Sequence, residues 1–332
     1  MSAKERYIVG VDLGGTNIVA GAMPVDGSRE IAMQTRPTLA EGGAESVVER
    51  IAGMIEKVIT ETMAETGAQR SDFLGVGIGS PGPLDREKGI VIVTPNLGWK
   101  NFPLRDEISD RVHLEATLDN DANCATLGEF WCGAAVGGYN VVGMTLGTGI
   151  GGGLILEGKL YHGASDVAGE IGHTTIDLNG RLCKCGNYGC LEAYASGPAI
   201  ADRAREAVLG DETESILLSL VGGDLKKITA QTVYEAAKHG DTMATEVVRE
   251  TGRILGAGVS NLLNTFNPDV VVMAGGVTQA GDELFKPLRA EVKRRAFKPA
   301  VQACKIVAGA LPLSAGVVGA IATFKMQALG EL

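Results

Sequence analysis

Two copies of one short pattern limit the folds open to this chain more than any other feature. Tyr7-Ile8-Val9-Gly10-Val11-Asp12-Leu13-Gly14-Gly15-Thr16 can be laid on Asn140-Val141-Val142-Gly143-Met144-Thr145-Leu146-Gly147-Thr148-Gly149, with Val-Gly and Leu-Gly at the same offsets. Each copy continues into a second apolar run, Ile18 to Met23 and Ile150 to Leu156. Each therefore reads as strand, tight glycine turn, strand. Two such hairpins suggest two similar domains that face each other. Chance likeness of glycine-rich hairpins is the competing reading. A chain of 332 residues is also too long for one ordinary core.

The remaining segments alternate in the α/β manner. Ala44 to Thr66 places Val47, Ile51, Ile55 and Ile59 at helical spacing. Phe73 to Ser80 and His113 to Leu118 read as strands, and Asp121 to Ala135 as a helix. Pro198 to Leu209, Thr229 to Lys238 and Asp241 to Asn264 are helical patterns, and Asp269 to Met273 is a buried strand ending in Ala274-Gly275-Gly276. Ser314 to Ala328 is a closing helix. No low-complexity linker occurs, so the boundary is expected at a short hinge near Leu118. This gives a small N-terminal domain of residues 1–118 and a larger one of residues 119–313, with the 314–332 helix a candidate to complete the first.

Hydrophobic residues make up 45% and charged residues 21%, which excludes long disorder. The net charge of −10 disfavours a general nucleic-acid surface. The amino terminus, Met1-Ser2-Ala3-Lys4-Glu5-Arg6 before an apolar strand, shows no signal-peptide pattern, and no stretch is apolar enough to span a bilayer. A cytoplasmic protein is expected, with its six cysteines free or metal-bound.

Five segments carry chemistry. In Asp12-Leu13-Gly14-Gly15-Thr16-Asn17 the glycines expose backbone N–H groups to phosphate oxygens, and Asp12 suits Mg²⁺ or its waters; an ordinary capped turn is the alternative. Leu146-Gly147-Thr148-Gly149-Ile150-Gly151-Gly152-Gly153 is costly in chain entropy, which suggests a backbone that something approaches closely. It is neither a Walker motif nor a strong dinucleotide fingerprint. In Asn120-Asp121-Ala122-Asn123, Asp121 is either a helix N-cap or a general base that takes the proton of an attacking hydroxyl. His173 with Cys183, Cys185 and Cys190 forms a four-ligand set suited to tetrahedral, structural Zn²⁺. That metal would fix the flanking Glu170 and Glu192 as rigid hydroxyl acceptors. Gly275-Gly276 is either a nucleotide platform or a plain turn.

Together these segments resemble the ROK family (repressors, open reading frames, sugar kinases) from about Tyr7 to about Lys325. Met144 through Gly147, Gly149, Gly151, Gly163, Gly169, Gly172 and His173 match its signature, and the His173, Cys183, Cys185, Cys190 element is a second mark. Pro95 through Leu104 is most similar to the family's bacterial glucokinases. The resemblance implies an α/β, actin-like (ribonuclease H-like) ATPase fold of two domains with a cleft between them. It implies ATP with Mg²⁺, and transfer of the γ-phosphoryl group to a hexose, most simply the 6-OH of glucose. N-acetylmannosamine or fructose are the alternative acceptors, and polyphosphate an alternative donor. It further implies that Asp12, Gly14, Gly15 and Thr16 form the first phosphate segment. Gly147, Thr148 and Gly149 would form the second, and Gly275 and Gly276 the adenosine segment. Asp121 falls on the catalytic base, and Asn96, Asn120, Glu170, His173 and Glu192 fall on sugar-binding positions. Dimers or tetramers are common in the family.

Two rival classes are weighed against this. A sugar-sensing repressor needs a helix-turn-helix before the first strand, and only Met1 to Arg6 stand there. A filament-forming ATPase needs neither a zinc loop nor Glu170, His173 and Glu192.

Overall fold

The computed structural model describes residues 5–210 and 215–332; the Met1–Lys4 part of the amino-terminal reading lies outside them. The repeat seen in the sequence is a repeat of topology. One five-stranded sheet has the order Ile31–Pro37, Asn17–Pro24, Tyr7–Leu13, Phe73–Ser80, Ala116–Asn120. A second has the order Lys159–Leu160, Ile150–Leu156, Val141–Leu146, Val270–Ala274, Lys305–Ala308. In each, a hairpin is followed outward by two strands parallel to its first arm. Chance likeness of two glycine turns does not produce the same strand order twice.

The chain divides into two compact units. The first comprises residues up to Gly137 with Gly153–Gly169 and Ala310–Leu332; the second comprises Gly138–Gly152 and Glu170–Gly309. This division comes later than the boundary expected near Leu118. The reason lies in packing: the Asp121–Cys132 helix lies on the helix Ala315–Phe324 within the first unit. The contact is close because both helices present glycine. A methyl group on Gly319 would stand 1.5 Å from the carbonyl oxygen of Cys124.

Strand alternation sorts the first unit into two cores. Tyr7, Val9, Val11 and Leu13 face Val47, Val48, Ile51, Met54, Ile55 and Val58 of the helix Gly43–Thr66. Ile8 faces the other way, against Val317, Val318, Ile321 and Phe324. The helix Ala315–Phe324 is buried all round, as its sequence, apolar but for Thr323, requires. Its backbone rests on the sheet because Gly77 has no side chain; a methyl there would meet Ala320 O at 1.7 Å.

Several limits move by a few residues. The strand expected over His113–Leu118 begins at Ala116, because His113 ends a helix, Leu104–Val112, in the left-handed conformation at φ 53°. The helix expected to reach Ala135 stops at Cys132. The closing helix gives way after Phe324 to a wider π turn, Lys325–Leu329.

Candidate active site

In the first unit the tight turn after Leu13 is closed by the Gly14 N–H donating to Asn17 O at 2.9 Å. The Thr38 hydroxyl donates to Gly14 O at 2.7 Å from outside. Gly15, Thr16 and Asn17 stay exposed. The Cβ of Asn96 lies 3.3 Å from where a Gly15 side chain would begin, so Asn96 and the turn share one surface.

Asp12 is the last residue but one of the Tyr7–Leu13 strand and keeps some exposure. Desolvation, then the charge of nearby Asp121, pushes its carboxyl from the ordinary 3.8 up to about 7. Asp12 and Asp121 are therefore neighbours. Between about pH 4 and pH 7 the unfolded chain loses this proton before the folded chain does, so Asp12 removes stability as pH rises through that window. Asp12→Asn is thus expected to raise the thermal midpoint of ligand-free protein at pH 8 but not at pH 4, which calorimetry at the two pH values checks.

The helix that carries Asp121 is capped by its neighbour instead. Asn120 Oδ1 accepts from the N–H groups of Ala122 at 2.9 Å and Asn123 at 3.2 Å. Asp121 occupies the first helical position, and its Oδ1 accepts from the Ala122 N–H at 2.8 Å. The N-cap reading of Asp121 is corrected: Asn120 supplies the cap.

In the second unit the Gly147 N–H donates to Gly149 O at 3.0 Å, while Gly147 O accepts from the Gly197 N–H at 2.8 Å. Gly147 and Thr148 share a cavity of about 1070 Å³ with Gly276. Gly275 turns at φ 102° directly over Leu146 O, which brings the Gly275-Gly276 turn beside the Gly147–Gly149 turn. The sequence reading missed the helical wall of this cavity, Pro198, Ala201, Arg205 and Tyr234. Those residues come from segments with no local phosphate or base motif, so only the fold brings them there.

His173, Cys183, Cys185 and Cys190 place one ligand atom each within 4.8 Å of one another. Cys183 Sγ lies 3.7 Å from His173 Nδ1, and Cys185 Sγ 3.7 Å from Cys190 Sγ. A tetrahedral ion with arms of about 2.3 Å requires edges of roughly 3.7 Å. Three thiols and one imidazole, with two pairs at that separation and all four within 4.8 Å, suit Zn²⁺ and would fill its four positions. Gly186 and Gly189 have φ of 92° and 72°, and a methyl on Gly189 would meet Asp177 O at 1.6 Å. The turn between the cysteines therefore needs glycine. With Nδ1 toward the thiols, His173 Nε2 stands 4.0 Å from Glu170 Oε2.

Glu192 links these parts. Its Oε2 accepts from the Ile150 N–H at 2.9 Å, and its Oε1 lies 3.9 Å from Cys183 Sγ. One carboxylate thus touches both the second glycine turn and the metal set.

The ROK family model matches residues 8–327, nearly the whole chain. The chain belongs to the ROK family. A glucokinase of Thermotoga maritima is 39% identical over 319 residues, covering 96% of this chain and 97% of that protein. The crystal structure of a ROK family glucokinase from Streptomyces griseus, in complex with glucose and AMPPNP, superposes with a TM-score of 0.81 at 35% identity. It covers 95% of this chain and 98% of that one. The fold is thus the actin-like sugar kinase fold. A xylose repressor of Caldicellulosiruptor bescii is 34% identical over 274 residues, covering 82% of this chain and 68% of the repressor. Family membership alone therefore leaves enzyme and regulator to be separated by the site. Among the described residues no helix is long and apolar enough to cross a membrane.

Proposed function

We propose that this ROK protein is an ATP-dependent glucokinase, converting glucose and ATP to glucose 6-phosphate and ADP. The observation that carries this reading is the carboxylate of Glu192, bonded to the backbone of a glycine turn and backed by the thiol of Cys183. A hydroxyl acceptor joined to a phosphate-type turn suits transfer between a sugar and a nucleotide.

Asp121 orients the sugar 6-OH and takes its proton as that oxygen attacks the γ-phosphorus. Asn96, Asn120, Glu170, His173 and Glu192 bind the sugar, the two glutamates as acceptors for its hydroxyls. The turns Gly14-Gly15-Thr16 and Gly147-Thr148-Gly149 hold the phosphates; the N–H groups of Gly14 and Gly147 close the turns, and those of Gly15, Thr16, Thr148 and Gly149 offset charge on the phosphoryl oxygens. Gly275 and Gly276 hold the adenosine side of the nucleotide. Asp12 would hold Mg²⁺ or its waters, and that ion would supply charge neutralisation when bound with the nucleotide. His173, Cys183, Cys185 and Cys190 would hold Zn²⁺, which would supply rigidity to the loop of Glu170 and Glu192. A thiolate site of this kind suits a reducing cytoplasm.

The test is a coupled ADP-release assay over glucose, mannose, fructose and N-acetylmannosamine. The highest kcat/KM is expected with glucose. A stronger response to N-acetylmannosamine or fructose would move the assignment within the family. No sugar-dependent ADP release would remove it.

A further inference from the structure

Asp119, one residue before the cap and two before the proposed base, is a fully buried carboxylate in the first unit. It is surrounded by donors. Its Oδ1 accepts from the Asn120 N–H at 2.8 Å and from the Asn123 side-chain amide at 3.1 Å. Its Oδ2 pairs with His162 Nε2 at 2.8 Å and accepts from the Gln327 amide at 3.2 Å, with Arg86 Nη1 at 3.8 Å. Arg86 in turn donates from Nε to Asp166 Oδ1 at 2.9 Å, and its backbone N–H reaches Asp166 Oδ2 at 3.4 Å. Two bonds therefore fix the start of the helix that carries Asp121. The others tie that start to three distant segments, at residues 86, 162–166 and 327.

A buried carboxylate is costly unless all its lone pairs are used, and here they are. A purely structural site could be filled at less cost by packed apolar groups of similar volume. The 162–166 segment runs directly into Gly169 and Glu170. The same carboxylate thus holds the proposed base and the chain leading to a proposed sugar acceptor.

We propose that Asp119 is a positioning residue for phosphoryl transfer, aligning Asp121 through the helix start and anchoring the segment that delivers Glu170 through His162. This rests on the reading of Asp121 as the base. A small displacement of a reacting group costs orders of magnitude in rate while leaving remote binding intact.

The experiment compares Asp119→Asn, His162→Ala, His162→Gln and Asp121→Ala in the full chain, with sugar and nucleotide kinetics measured well below each thermal midpoint. Asp119→Asn keeps the shape but turns one acceptor into a donor. Its kcat is expected to fall by roughly 10- to 100-fold, with KM for ATP within about twofold of the parent. His162→Ala is expected to lower kcat, and His162→Gln, which restores an N–H donor, to recover most of it. Should Asp119→Asn fail to fold, the two His162 variants decide. Parent-like kcat in Asp119→Asn, or equal activity in His162→Ala and His162→Gln, overturns the proposal. If those results came with an inactive Asp121→Ala, the base assignment would stand and only the positioning role would fall. An active Asp121→Ala would instead remove the reading beneath it.

Discussion

Asp121→Ala is expected to lower kcat by about 10³-fold, within the range of roughly 10² to 10⁴ that a positioned general base supplies. Sugar affinity and the thermal midpoint should change little. The helix cap is Asn120, whose side chain accepts from both Ala122 and Asn123, so the Ala122 N–H keeps a partner when the Asp121 carboxylate is removed. The alanine variant also keeps a good helix former at the first helical position. Loss of Asp121 removes a negative charge from beside Asp12, so the Asp12 carboxyl should titrate lower in the variant. Steady-state kinetics with a sugar-binding titration separates loss of turnover from loss of binding. Near-normal kcat would show that another group takes the proton.

Removing zinc is expected to act on sugar binding and stability together. Chelation, or Cys190→Ser at the buried ligand, should lower the thermal midpoint by roughly 10 °C, as loss of a structural metal commonly costs several kcal/mol. KM for glucose should rise at least about tenfold, in line with lost support for ligand-orienting groups. The cause is local. Cys183 backs Glu192, and His173 stands beside Glu170, so both carboxylates lose their support when the loop loosens. Because Glu192 also accepts from Ile150, KM for ATP should rise, though less. Calorimetry and kinetics on metal-free and zinc-restored protein check this. Unchanged sugar kinetics after complete zinc removal would detach the metal from the sugar site.

Features set by local spacing were legible in the sequence. The two hairpins, the ligand set at 173, 183, 185 and 190, and the first helical position at Asp121 all lie within short stretches whose residue types dictate their geometry, though the cap itself fell to Asn120 rather than Asp121. The repeated strand order is their consequence at the level of the sheet. What could not be read depends on partners far apart in the chain. Arg86, Asp119, His162 and Gln327 carry no common motif, and only the folded first unit makes them one network. Pro198 and Tyr234 likewise become cavity wall only when their helices stand beside the Gly147 turn. The boundary expected near Leu118 differs from the observed division for a similar reason. The glycine contact that keeps the Asp121–Cys132 helix with the first unit joins residues 124 and 319.

A carboxylate poised on a sugar hydroxyl is most directly tested by a crystal structure of the protein with glucose and a non-hydrolysable ATP analogue. The predicted result is an Asp121 oxygen about 2.6–3.2 Å from the glucose O6, with that O6 facing the γ-phosphorus. A glucose bound with O6 out of reach of Asp121, or bonded to a different base, would contradict the account.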